Sequence, residues 1–257
     1  MRLTNQQPTF LTTHFTPPYF ISLMDRSPRQ IRFSPFIAGL RLTLFVLALV
    51  SILFVISGDT SWIMAWVLTG LLFGTVCFNV FFLMRKSPDL IEERMHPKEG
   101  AKAWDIYFSA LVGTLGPLST FFVAGLDHRF SWTPELSPAI SVVAVLVVVS
   151  GHALTSWSMS VNKFFSAIVR IQHDRGHVVV SSGPYRIVRH PGYAGAILTY
   201  VAAPIMLGSC WALIPAVATI LLVLVRTTLE DNTLLRELEG YQEYVANVRY
   251  RLIPGVW

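Results

Sequence analysis

The sequence predicts an all-α integral membrane protein: a multi-pass bundle of about six transmembrane helices with a candidate site at its cytoplasm-facing C-terminal end. Three observations carry this. Of the 257 residues, 53% are hydrophobic and only 14% charged, against about 25% charged in soluble domains. Windows of about 20 apolar residues, the length that crosses a hydrocarbon core, recur along the chain. Basic residues then gather on one side of those windows, as the positive-inside rule expects.

Taken in order, residues 1–35 form a polar arm with Pro8, Pro17, Pro18, Pro28 and Pro35. The arm lacks the apolar core of a signal peptide, and Met24 within it is an alternative start. Residues 36–160 hold four expected spans, Phe36–Ser57, Trp62–Met84, Trp104–Gly125 and Pro138–Met159. In residues 161–257 a fifth and a sixth, Tyr193–Leu207 and Trp211–Leu229, are separated only by Gly208-Ser209-Cys210. The fifth is short and contains Pro204, so it is expected to tilt, kink or re-enter. With the N-terminus inside, every one of the 20 lysines and arginines except Arg41 and Arg129 falls on the cytoplasmic side. Both termini are therefore expected in the cytoplasm.

The net charge of +5 reads as orientation and attraction to anionic lipid headgroups, not as a nucleic-acid footprint. Cys77 and Cys210 have no metal-ligand spacing and imply no disulfide framework. They read as small hydrophobes. Nothing in the sequence fixes the oligomeric state.

Loops carry the rest of the information. Ser87-Pro88-Asp89 opens a short amphipathic helix through Met95, and His96-Pro97 reads as a turn. The loop after the fourth span runs through Gln172 to Gly176-His177-Val178-Val179-Val180-Ser181-Ser182-Gly183-Pro184-Tyr185. That β-branched run between glycines is expected to be extended, then turned. Its free N–H and C=O groups must find partners near the membrane. A ligand with an adenine-like edge is one such partner. In the tail, Leu234, Leu238, Tyr241, Val245 and Val248 have helical spacing up to the Pro254-Gly255 break.

Two polar clusters face each other across the last hairpin. In Arg189-His190-Pro191-Gly192-Tyr193, Pro191 suits the first turn of a helix and His190 its N-cap. The helix dipole there favours an anion, such as a ligand carboxylate. Tyr185 and Tyr193 offer apolar faces with polar tips. Arg226 and Glu230 stand one turn apart at the end of the last span. Alone, they read as a surface pair or as a snorkelling arginine. Together, the clusters make a site for both a cation and an anion.

With Gly183-Pro184-Tyr185, Arg189-His190-Pro191-Gly192-Tyr193, Glu230-Asp231, Leu234, Gly240-Tyr241, Tyr244 and Ile253-Pro254, the region Asn162–Trp257 resembles the isoprenylcysteine carboxyl methyltransferase family. Phospholipid N-methyltransferases share this C-terminal core. The resemblance implies that 161–257 is a methyltransferase core with a membrane-embedded S-adenosylmethionine site opening to the cytoplasm. It further implies that His177, Val178, Val179 and Val180 line the cofactor, partly through backbone contacts to adenine. Gly183, Tyr185, His190, Pro191, Gly192 and Tyr193 would enclose it, and Glu230 would hold its ammonium. Gln172 has the type of the family's glutamine ahead of the histidine, although ungapped spacing points to Arg170. Asp231 stands where the family often has Glu. Arg226 would meet the substrate carboxylate, so Arg226 and Glu230 are the expected catalytic pair.

Methyl transfer from a sulfonium is an in-line displacement, which needs alignment and exclusion of water. A carboxylate acceptor is already ionised at neutral pH and needs a positioning cation, for which a guanidinium with two hydrogen bonds is suited. The expected substrate is therefore a lipophilic or lipid-linked carboxylate. Three alternatives stay open: a phospholipid amine acceptor, an NADPH-dependent sterol-type reductase with a similar Arg-His-Pro core, and a non-enzymatic membrane protein.

Overall fold

The computed structural model describes residues 35–95 and 100–257; residues 1–34, with Met24, and the His96-Pro97 pair lie outside them. Apolar sequence dictates the first two helices, α1 (Pro35–Ser57) and α2 (Ile63–Lys86). On α1, Val46, Leu49, Val50 and Leu53 are buried at helical spacing, while Leu40, Leu44, Leu47 and Val55 are exposed. Apolar side chains exposed on this scale need hydrocarbon around them rather than water. The short α3 (Pro88–Met95) begins at Pro88, as its turn chemistry predicts.

Next, α4 (Ala103–Ala110), a π-helical turn at Leu111–Leu115 and α5 (Gly116–Phe130) form one continuous rod. The π turn loosens the backbone ladder, and the Val112 carbonyl accepts a hydrogen bond from the Tyr200 hydroxyl at 2.7 Å. Helix α6 (Pro138–Val161) then packs along α7 (Pro191–Met206). Their contact requires glycine on both sides. A Cβ on Gly151 would stand 2.6 Å from the Gly195 carbonyl oxygen, and one on Gly195 would stand 2.5 Å from that of Gly151. Small residues at such crossings let membrane helices approach closely. A turn at Gly208 (φ +75°) leads into α8 (Leu213–Glu237).

Among the described residues, five stretches are long and apolar enough to cross a bilayer: most of α1, then α2, the α4–α5 rod, α6 and α8. The expected fifth span is α7, only 16 residues long, with Pro204 in its last turn. Five full-length spans and one short hairpin helix therefore stand where about six spans were expected, and the chain is an integral membrane protein. Cys77 and Cys210 are free and exposed.

The tail departs from its periodicity. Its apolar residues keep helical spacing, but α8 ends at Glu237, Gly240 adopts φ +78°, and α9 (Tyr241–Asn247) starts afresh. The break folds Leu238, Tyr241, Tyr244 and Val248 back against Ile171 and Val179, so the tail covers the 162–182 loop. The 177–182 run has no strand partner among the described residues, and a 3₁₀ turn at Gly183–Arg186 follows it.

Candidate active site

The site is built where the last turns of α8 meet the start of α7 and the 162–182 loop. That loop is anchored by buried charge. Arg170 donates Nε to Glu93 Oε1 at 2.6 Å and Nη2 to Glu93 Oε2 at 2.7 Å, which ties the loop to α3. The Val169 N–H donates to Asp105 Oδ2 at 2.6 Å, which ties it to α4. The Gln172 side-chain amide donates to the Phe164 carbonyl at 2.8 Å.

His177 packs against Phe164, with ring centroids 4.4 Å apart. Its Nδ1 accepts the Gln172 N–H at 3.2 Å, so the ring is neutral with its proton on Nε2. Burial, reinforced by His173, Arg170 and Arg175, pushes its pKa down to about 4. After it, the main-chain N–H and C=O groups of Val178, Val179 and Val180 make no hydrogen bond among the described residues.

At the head of α7, His190 occupies the N-cap position and Pro191 the first turn. An anion from within the chain, Asp231, meets His190. Its Nε2 lies 3.1 Å from Asp231 Oδ1. Asp231, fully buried, also accepts Arg189 Nε and Nη2, each at 2.9 Å, Arg251 Nε at 2.9 Å and the Tyr241 hydroxyl at 2.8 Å. Arg189 donates onward from Nη1 to the carbonyls of Val248 and Arg249. Asp231 thus joins α7, α8, α9 and the tail.

On the same helix, Arg226 and Glu230 line the same space without pairing with each other. Arg226 donates Nε to Asp105 Oδ1 at 2.7 Å and Nη2 to Asp105 Oδ2 at 2.9 Å. The same Nη2 also meets Ser109 Oγ at 2.9 Å and the Ala167 carbonyl at 2.8 Å. Its guanidinium carbon lies 5.3 Å over the Tyr193 ring. The Tyr193 hydroxyl donates to Glu230 Oε2, and the Tyr193 ring stacks on His190 at 5.8 Å. A surface-type i, i+4 pair is therefore replaced by two separate anchors.

These groups line one cavity of about 310 Å³, at the lower end of the roughly 300–1,000 Å³ typical of small-molecule sites. Of the sequence-predicted residues, His177, Val178, Val179, Val180, Tyr185, His190, Gly192, Tyr193, Arg226 and Glu230 line it. Gln172, Gly183 and Pro191 stand outside the lining. Gln172 spends its side chain on the loop, and Arg170 lines the wall in its place. Gly183, at φ +56°, serves the turn against Val161 and Trp157.

Sequence reasoning missed Arg94, Asp105 and Ser109, and gave Arg189, although part of the motif, no role of its own. The available signal was Asp105, an acid inside an otherwise apolar span, where an ionisable residue calls for a partner. Arg94 donates to the Phe165 carbonyl at 3.2 Å on the cavity wall. Val112 and Gly113 of the π turn, on a membrane-spanning rod, also reach the cavity.

The donor set has a definite chemical character. Glu230 offers a carboxylate, Tyr185 and Tyr193 offer aromatic faces, and residues 178–180 offer an unpaired peptide edge. A cationic group carrying a flat ring with hydrogen-bonding edges suits all three. Arg226 retains Nη1, which has no hydrogen-bond partner among the described residues. With Nε and Nη2 taken by Asp105, the two-bond fork expected from sequence is not available.

Comparison with known proteins places this geometry. The described fold is similar to the solved eukaryotic intramembrane Ras methyltransferase ICMT (isoprenylcysteine carboxyl methyltransferase), with a TM-score of 0.50 and 15% identity over 94% of this chain and 88% of that one. At that identity the likeness concerns the fold. Two rice proteins, described as probable protein-S-isoprenylcysteine O-methyltransferases of Oryza sativa subspecies indica and japonica, are each 30% identical over 77 residues. The match takes in 29% of this chain and spans 40% of either relative's length. The resemblance read from the motifs is borne out: residues 143–236, which supply both hairpin helices and most of the cavity wall, match the model of the isoprenylcysteine carboxyl methyltransferase (ICMT) family.

Proposed function

We propose that this membrane protein is an S-adenosylmethionine-dependent methyltransferase of the isoprenylcysteine carboxyl methyltransferase type, acting on a carboxylate of a lipophilic or prenylated substrate. The observation that carries the reading is that Glu230 and Arg226, one turn apart on α8, line the same cavity as the unpaired peptide edge of Val178–Val180. When bound, S-adenosylmethionine supplies an electrophilic methyl on a positively charged sulfur.

The protein's residues do the rest. The 178–180 edge binds the adenine, Tyr185 and Tyr193 exclude water from the cavity, and Glu230 holds the ammonium. Tyr193 fixes the Glu230 carboxylate by donating its hydroxyl hydrogen. Arg226 orients the acceptor carboxylate through Nη1, and no proton has to move, because that carboxylate is already ionised. The π turn, on a rod long and apolar enough to cross the membrane, brings Val112 and Gly113 to the same cavity, which suits an apolar tail lying in the bilayer. The basic bias of the loops orients the site, and both termini, to the cytoplasm.

The test is methyl transfer from labelled S-adenosylmethionine by the full chain in vesicles, offered an S-prenylated N-acetylcysteine or a phosphatidylethanolamine. Label in a base-labile ester of the prenylcysteine is the expected result. Label on the lipid amine would reassign the acceptor, and label on neither would reject the reading.

A further inference from the structure

The polar groups that meet Arg226 come from far away in sequence, and their arrangement says more than that an arginine faces the cavity. Asp105 lies 121 residues from Arg226 and is fully buried. Its two oxygens take Nε and Nη2 of Arg226 at 2.7 and 2.9 Å, a parallel two-bond contact. This geometry is strong and directionally specific. Oδ2 also takes the Val169 N–H at 2.6 Å and the Ser109 hydroxyl at 3.3 Å, so the carboxylate itself cannot swing. The second hydrogen of Nη2 is directed to Ser109 Oγ and the Ala167 carbonyl. The guanidinium is thereby held on one edge and on one face, with Tyr193 beneath it.

Two consequences follow, and they rest on the carboxyl methyltransferase reading of this cavity. The guanidinium can offer a ligand only Nη1, in a fixed direction. Its charge is also already balanced before any ligand arrives. Methyl transfer forms an O–CH3 bond from an acceptor oxygen lone pair and breaks the C–S bond, whose electron pair stays on sulfur. The anionic acceptor becomes a neutral ester and the sulfonium becomes a neutral thioether. An arginine whose sole counter-ion was the acceptor would be left buried and unpaired at that moment, which is costly. With Asp105 in place the guanidinium is compensated at every stage.

We propose that Asp105 is a positioning residue for methyl transfer, which aims Nη1 of Arg226 at the acceptor carboxylate and supplies the counter-charge that lets the neutral ester leave.

The experiment compares the wild-type chain with Asp105→Asn and Asp105→Glu in vesicles. It measures kcat and KM for an S-prenylated N-acetylcysteine, the Kd for S-adenosylmethionine, and inhibition by a non-reactive prenyl thioether carboxylate. Misplacement of a positioning group by about 1 Å can cost roughly 100-fold in rate. Asp105→Asn should lose kcat on that scale, with cofactor Kd within about threefold of wild type, a smaller fraction of the free energy in question. KM should not rise, and the thioether carboxylate should inhibit more tightly, because the cation is no longer neutralised. Asp105→Glu keeps the charge and should recover part of kcat. It also decides the matter if the Asn variant does not fold, since a kcat equal to wild type in a folded Glu variant overturns the proposal. Wild-type kcat in Asp105→Asn overturns it as well. So does a parallel collapse of kcat and cofactor binding, which is the mark of a merely structural residue. If the wild-type chain transfers no methyl to the prenylcysteine, the functional reading itself falls, and the proposal with it.

Discussion

Arg189 and Asp231 meet edge to edge, Nε on Oδ1 and Nη2 on Oδ2, each at 2.9 Å and both side chains buried. This pair fixes the entry to α7 relative to the end of α8, and so sets the distance between the two polar clusters. Because His190, Arg251 and Tyr241 share the same carboxylate, its loss strands several buried donors at once. Breaking a buried pair from one side costs about 3–5 kcal/mol. Asp231→Ala should therefore lower thermal stability in detergent on that scale, far more than Glu243→Ala at an exposed position of α9. Thermal melts of the two variants check this.

Arg226 carries a buried ion pair as well as its proposed role in the chemistry. Arg226→Ala removes the Nη1 donor and also leaves Asp105 buried without its cation. It should abolish methyl transfer and destabilise the fold by about 3–5 kcal/mol. Arg226→Lys keeps a charge near Asp105 but not the planar fork. It should recover most of the melting temperature and little of the activity. Equal recovery of both would separate Arg226 from the chemistry.

Glu230 carries no such structural load, since its hydrogen-bond partner among the described residues is the Tyr193 hydroxyl. A hydrogen bond to a charged group contributes about 1.5–3 kcal/mol. Glu230→Gln should therefore weaken S-adenosylmethionine binding by roughly 10- to 150-fold with little change in melting temperature. Calorimetric titration and a melt on the same sample give both numbers.

His177 gives the site a pH dependence whose sign follows from its burial. Its ordinary value is 6.5, and the fold holds it at about 4. Between those values the unfolded chain binds more protons than the folded one. Stability is then complete above pH 6.5 and falls as the pH drops toward 4. Protonation would also oppose the Gln172 N–H that Nδ1 accepts. The melting temperature of the wild type should decline more steeply from pH 7 to pH 4.5 than that of His177→Gln.

The Gly151–Gly195 crossing makes a packing prediction. A methyl on Gly195 would sit 2.5 Å from the backbone oxygen of Gly151, which a rotamer change cannot relieve. Gly195→Ala should cost about 1–3 kcal/mol, the usual penalty for overpacking. Gly70→Ala, where nothing lies within 4 Å of the added carbon, should be close to neutral. Paired melts test the contrast.

The membrane class, the span positions and the hairpin were legible because apolar run length and basic asymmetry are local properties of the sequence. So were the cap at His190, the start of α3 and the motif residues around Tyr193 and Glu230. Side-chain partners were not legible. Arg226 and Glu230 have the spacing of a pair, yet Asp105 and Tyr193 take them separately, because contacts that are 121 and 37 residues distant leave no periodic trace. The same holds for Asp231, which looked like a second acid of the motif and is the hub of two arginines and a histidine. In the tail, apolar spacing continued across the break, and the extended backbone of Leu238 together with the positive φ of Gly240 separates α8 from α9.

The cavity between α7, α8 and the 162–182 loop is proposed to bind S-adenosylmethionine, with Glu230 as the anion. Equilibrium binding of S-adenosylmethionine to the purified chain in detergent, with NADPH in parallel, tests it most directly. Saturable micromolar binding of S-adenosylmethionine, lost in Glu230→Ala and absent for NADPH, is the predicted result. Binding of NADPH alone, or S-adenosylmethionine binding that Glu230→Ala leaves unchanged, would contradict it.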